Sequence, residues 1–305
     1  AGHLRLPSPA TAGRRRMIFG QRFRQLLRSQ KAGTPESDKG WNPRAIDLTR
    51  DIEDWSNLAG AERALLLRLS VLLRAGDVGA TPDLVPLLTL MADSEQLEEE
   101  LHLTAFLWEE SKHAEIFKRF YEEVAGGDCD VTGDQLPAFR RIVGTELPEV
   151  LDRLKSDESP EARAEASVTW NMIIVGLLAE TGYRAFCAAL ERRDVLPGMR
   201  YAACCLRRDG ADHVTHGMIQ LARLFAAHGE PVWTAIERRS AQLQESAAGA
   251  ITEALGDESL PLFGLAPHRL VGEAVEKLGA RLNRIASARG RSVEDVRREF
   301  TADLT

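Results

Sequence analysis

A chain of 305 residues with 44% hydrophobic content can bury a substantial core, as one large domain or two. Its formal net charge of -7 argues against a nucleic-acid binder, because a surface that tracks phosphates needs excess Lys and Arg. Cys129, Cys187, Cys204 and Cys205 lack the CxxC spacing of a zinc site or the regular spacing of a disulfide framework, and no run of about 18 uninterrupted apolar residues predicts a membrane span, so a reduced, cytoplasmic location is expected.

The basic residues before Lys31, Arg14, Arg15 and Arg16 among them, are expected to form a solvated terminal arm rather than a partner-binding patch. Residues 60 to 77 carry Leu65, Leu66, Leu69, Leu72 and Leu73 at helical spacing, which predicts an amphipathic helix ending near Gly76 and Asp77. Pro82 and Pro86 should kink or restart it, since proline lacks an N–H donor and clashes with the preceding turn. A second helix is expected from about Ser94 to Val124, stopped by Gly126 and Gly127. At 1.5 Å per residue it spans roughly 45 Å, the length of a bundle helix. A third, shorter helix follows around Leu136 to Leu154.

Ser159 with Pro160 and Glu161 is a start signal, a capping serine followed by proline at the first helical position. The fourth helix it opens should reach about Arg193 through the apolar run from Met172 to Ala179. Pro197 and Gly198 punctuate before a fifth helix from about Met199 to His228, Pro231 opens a sixth reaching Ala254, and a last one covers roughly Val271 to Ala286. Strand signals are almost absent. The prediction is one all-α bundle domain over residues 45–290, between a less regular N-terminal arm (1–44) and a C-terminal tail (291–305), with four helices long enough for a central bundle.

Glu110 and His113 sit three apart, so their side chains leave one face of a helix and can share a metal ion, as in the Glu-x-x-His pairs of di-metal carboxylate bundles. Phe106, Leu107, Phe117 and Phe120 surround the pair at core spacing and should turn at least His113 inward; the alternative is a solvated Glu beside a surface His. A second such pair is broken, because Gly210 stands three residues before His213. Asp209 and His216 lie four before and three after His213, within an arc of about 60°, and could add ligands. The alternative is that Arg207, Arg208, Asp209 and Asp212 mark a solvated face. Asp77 follows Leu73 by one helical turn on the apolar face, where a carboxylate is costly unless paired or metal-bound; it could also face water at the helix end.

The segments at 107–113 (LWEESKH), 166–171 (ASVTWN), 180–183 (ETGY), 196–199 (LPGM) and 285–291 (IASARGR) resemble the ligand-binding oxidases related to the small subunit of class I ribonucleotide reductase. The resemblance runs in order over about residues 40–291. It implies a ferritin-like, ribonucleotide-reductase small-subunit-like helical bundle, a manganese-iron or di-iron centre, a hydrophobic tunnel holding a long-chain fatty acid, and a homodimer. Matched residue by residue, it implies metal ligands at Asp77, Glu110 and His113 in one metal position and at His213 in the other. The remaining two family glutamates fall on Val175 and Gly210.

Two close cations need bridging carboxylates to offset their repulsion, so the double loss predicts a remodelled site with one iron or manganese ion, or none. His213 would supply a second imidazole, Asp209 or His216 a further ligand, and Asn171 a weaker one. A tyrosine–valine ether crosslink known in the family is not expected, because its positions fall on Trp170 and Ala80. The candidate catalytic neighbours are Tyr183, as a polar or redox-active group, and Trp170, for electron transfer if it is not simply packing.

The expected function is an O2-activating oxidoreductase acting on a hydrophobic or amphipathic substrate. The alternative is a metal-free ferritin-like binding protein for a lipid-like ligand, and a third possibility uses Glu110 and His113 as a buried acid–base pair. No glycine-rich nucleotide motif points to an electron donor.

Overall fold

Prolines in the first turn start four of the long helices, where a missing N–H costs nothing because the first four donors have no partner within the helix. The computed structural model describes residues 40–74, 97–127, 136–256 and 262–302. After a short 3-10 turn at Pro43–Ala45 come α1 (Thr49–Asn57), α2 (Gly60–Leu73) and α3 (Leu97–Arg119), the last continued by a π-helical turn over Phe120–Val124. α4 comprises Pro137–Arg141, a π turn at Ile142–Glu146, and Leu147–Arg153. α5 runs over Pro160–Arg193, α6 over Pro197–His228, α7 over Glu230–Leu255, α8 over Pro267–Ala286 and α9 over Val293–Ala302. Among the described residues every regular element is helical.

The sequence signals at the ends hold. Ser159 accepts a hydrogen bond from the Ala162 N–H at 3.3 Å, and Gly229 and Gly256, both at positive φ, close α6 and α7. Two short helices gave weaker signals. α1 is fixed by polar bonds more than by an apolar stripe: the fully buried Asp51 accepts from the Gly198 and Met199 N–H groups at 2.9 and 2.7 Å, and Asp54 accepts from Leu196 N at 2.8 Å. These carboxylates cap the N-terminus of α6 from another helix. A Cβ on Gly198 would lie 2.5 Å from the Asp47 carbonyl, so the close approach of α1 to α6 requires glycine there. α9 lies against α6 with Val296 and Phe300 buried. The kinks expected at Pro82 and Pro86, and the end of the helix near Asp77, lie outside the described residues.

α5 is the central helix, packed by α2, α6, α7 and α8. Its 18-residue apolar window has a mean hydropathy of 1.5, enough by composition for a bilayer, but 83% of that window is buried inside the bundle. Ile173, Ile174, Leu177 and Leu178 are essentially inaccessible, each contributing about 1.5–3 kcal/mol by leaving water. The middle of α5, Val168–Ala179, is π-helical over 12 residues, far longer than the single-turn bulges usually seen, which concentrate at functional sites. Side chains from other helices meet it: Arg281 of α8 donates to the Gly176 carbonyl at 2.6 Å, and Arg239 of α7 donates to Thr169 Oγ1 at 2.9 Å.

Candidate functional site

α3 and α6 each carry an acid four residues before a histidine, Glu109 with His113 and Asp209 with His213. Residues four apart lie on one helix face, and the two helices pair these groups across to each other. Asp209 Oδ2 is 3.2 Å from His113 Nε2, and Glu109 Oε2 is 2.8 Å from His213 Nε2. A carboxylate accepts, so each Nε2 donates a proton to the acid facing it. Both Nδ1 atoms face one oxygen: Glu110 Oε1 is 3.7 Å from that of His113 and 3.5 Å from that of His213. Glu110, His113, Asp209 and His213 are all buried.

Glu110 Oε1 and the two Nδ1 atoms therefore converge on one place. Two ligands each roughly 2.1 Å from one ion at tetrahedral angles stand about 3.4 Å apart, close to the Glu110–imidazole separations. Lys112 Nζ lies 3.5 Å from Asp209 Oδ2, and the more exposed Arg208 lies 4.0 Å from Asp209 Oδ1. The spacing of Glu110 and the two imidazoles is like that of ligands to one cation. Among the described residues, however, no group of three or more His, Cys, Asp or Glu side chains is closed tightly enough to hold a metal ion. Two of the acids are turned to Nε2 instead.

Asp77 and Ala80 lie outside the described residues. Trp170 sits buried in the π-helical part of α5, edge-on to Phe106 with centroids 6.0 Å apart, and Phe106 in turn lies 4.5 Å from the His213 ring. Tyr183 is buried and donates its hydroxyl to the Leu73 carbonyl of α2 at 3.3 Å. A Cβ on Gly210 would lie 3.5 Å from Tyr183 Cε2 and 3.9 Å from Val175 Cγ1. The two positions read as lost glutamates thus face each other between α5 and α6, beside the Tyr183 ring. His216 is half-buried and lies 3.2 Å from Gln220 Nε2. Asn171 donates to Ser167 Oγ at 3.1 Å and packs against Gly217, where a Cβ would come within 2.3 Å of it.

Glu109 and the buried Lys112 are members of the cluster that sequence reading missed. The matching acid-x-x-x-His spacing on both helices was the available signal, but its meaning depends on the two helices standing side by side.

No protein-family model matches the chain. Solved structures do. An R2-like ligand-binding oxidase from Sulfolobus acidocaldarius is 29% identical, with a TM-score of 0.76 over 89% of this chain and 92% of that one. A mutant R2-like ligand-binding oxidase with an aerobically reconstituted Mn/Fe cofactor is 28% identical, with a TM-score of 0.75 over 85% of this chain and 91% of that one. Another, with the cofactor reconstituted anaerobically, is 27% identical with a TM-score of 0.75, covering 85% of this chain and 91% of that one. The all-α, ferritin-like bundle related to the ribonucleotide-reductase small subunit is the fold of this chain.

Proposed function

We propose that this chain is an O2-activating oxidoreductase of the ligand-binding-oxidase type whose site holds one metal ion, on a hydrophobic or amphipathic substrate within the bundle. The observation that carries this reading is the pair of imidazoles held at Nε2 and directed through Nδ1 at Glu110. Glu110, His113 and His213 would be the ligands, joined by Asp77 as the second carboxylate. When bound, iron or manganese supplies one-electron chemistry toward O2.

The protein's own groups do the rest. Glu109 and Asp209 orient the imidazoles. Phe106, against the His213 ring, covers one side of the site with apolar surface. Val175 and Gly210 would leave the place of a second ion without anionic ligands. The test is O2 uptake by protein loaded with Fe(II) or Mn(II), with and without a long-chain fatty acid. Uptake that Glu110→Ala abolishes is the expected result, and uptake unchanged by that substitution sinks the proposal.

A metal-free binding protein for an apolar ligand is the second reading, favoured by the apolar pairing of Val175 with Gly210. It predicts a co-purifying lipid in native mass spectrometry of protein that takes up no metal.

A further inference from the structure

α5 and α6 pack against each other as a helical hairpin, joined through Asp194, Val195 and Leu196, with Asp194 and Leu196 in left-handed backbone at φ 49° and 50°. Cys187 lies eight residues before Val195 and Cys204 eight after Leu196, so a hairpin of two antiparallel helices brings the two cysteines level. They meet there: the Cys187 thiol is hydrogen-bonded to the Cys204 side chain. Their surroundings differ. Cys187 is 6% exposed, whereas Cys204 reaches solvent. Burial first, and then the neighbouring Cys204, hold the proton on Cys187, which makes that thiol inert on its own, since the thiolate is the reactive form. Arg207, three residues after Cys204, bears on the thiol with positive charge, and Glu191, four after Cys187, with negative. Cys205 is buried and leaves α6 about 100° around the helix from Cys204.

We propose that Cys187 and Cys204 are a redox pair, in which the exposed Cys204 meets hydrogen peroxide and the buried Cys187 closes a reversible disulfide that ties α5 to α6. In the first step the Cys204 thiolate attacks one peroxide oxygen; an S–O bond forms, the O–O bond breaks, and the departing hydroxide takes up a proton as water. The product is a sulfenic acid. In the second step the Cys187 sulfur attacks the Cys204 sulfur; the S–S bond forms, the S–O bond breaks, and the leaving hydroxide takes the Cys187 proton as a second water. Two thiols are oxidised and one peroxide is reduced to water. Neither cysteine is among the proposed metal ligands, so the pair stands apart from the one-ion reading. The link would join the two helices that carry Tyr183 and Gly210, whose ring and backbone already lie in contact distance. A bond of this kind suits a reducing compartment, where disulfides are transient and redox-sensing.

The experiment uses full-length protein without added metal as wild type, Cys187→Ser and Cys204→Ser. Each is treated with hydrogen peroxide, with and without dimedone to trap sulfenic acid; free thiols are then alkylated after denaturation, and the peptides are mapped by mass spectrometry before and after dithiothreitol. The wild type should lose both thiols together and yield one peptide pair linked through Cys187 and Cys204 that dithiothreitol separates. Cys187→Ser should accumulate dimedone-labelled Cys204, and Cys204→Ser should keep Cys187 as a free thiol. Cys204 oxidised to sulfinic acid in the wild type with no linked peptide, or a link that runs to Cys129, to Cys205 or to a second chain instead, overturns the proposal. The wild-type peptide map alone separates these results, so a folding defect in the Cys187→Ser protein does not blunt the test.

Discussion

At Gly210 and Gly217 two glycines of one helix face opposite conditions. A Cβ at Gly210 meets only ordinary contacts at 3.5 and 3.9 Å, whereas at Gly217 it would collide with Asn171 at 2.3 Å. Removing backbone freedom from a helical glycine stabilises by about 0.5–1 kcal/mol when nothing clashes. Gly210→Ala should therefore raise the urea midpoint, and Gly217→Ala should lower it, through a stability loss typical of overpacking, about 1–3 kcal/mol. The cysteines make a separate prediction. Burial and the neighbouring Cys204 push the Cys187 thiol up to about 12, and burial also raises Cys205, while Cys204 is exposed. Brief alkylation of the native protein, mapped by mass spectrometry, should label Cys204 ahead of the other two; equal labelling contradicts that ordering.

Between elements, α5 is held to α8 through Glu180, which pairs with both Lys277 and Arg281. Burial pushes the Glu180 carboxyl up, but the Arg281 guanidinium and the Lys277 ammonium outweigh it and leave the group below its ordinary value. A carboxyl depressed in the folded state contributes stability above its unfolded pKa and loses it as pH falls through the folded value. Glu180→Gln should cost stability at neutral pH, and the gap from wild type should close in acid, below the ordinary glutamate range. A gap independent of pH would mean that packing, not charge, joins the helices.

The same helix shows where sequence reading stops. Its ends were legible from Ser159, Pro160 and the break before Pro197, because capping and proline geometry are local. The π register of Val168–Ala179 was not, since the run reads as ordinary buried helix and its polar partners, Arg239 and Arg281, come from α7 and α8. The site divides similarly: Glu110 and His113 share one helix face and were legible by spacing, whereas Glu109 and Lys112 acquire their meaning from partners on α6.

Over the whole molecule, the bundle matches R2-like ligand-binding oxidases along nearly their full length, and the two positions where the resemblance implies glutamates hold Val175 and Gly210. The facing of these two positions across α5 and α6 makes the loss one local event rather than two scattered ones. Rebuilding both carboxylates, as Val175→Glu with Gly210→Glu, should raise metal content toward about two ions per chain, read by elemental analysis after loading. The central claim is tested most directly by the metal content of the wild type itself, loaded with Fe(II) and Mn(II), freed of excess ion and measured beside Glu110→Ala. The account predicts about one ion per chain, lost in the variant; two ions per chain, or none, would contradict it.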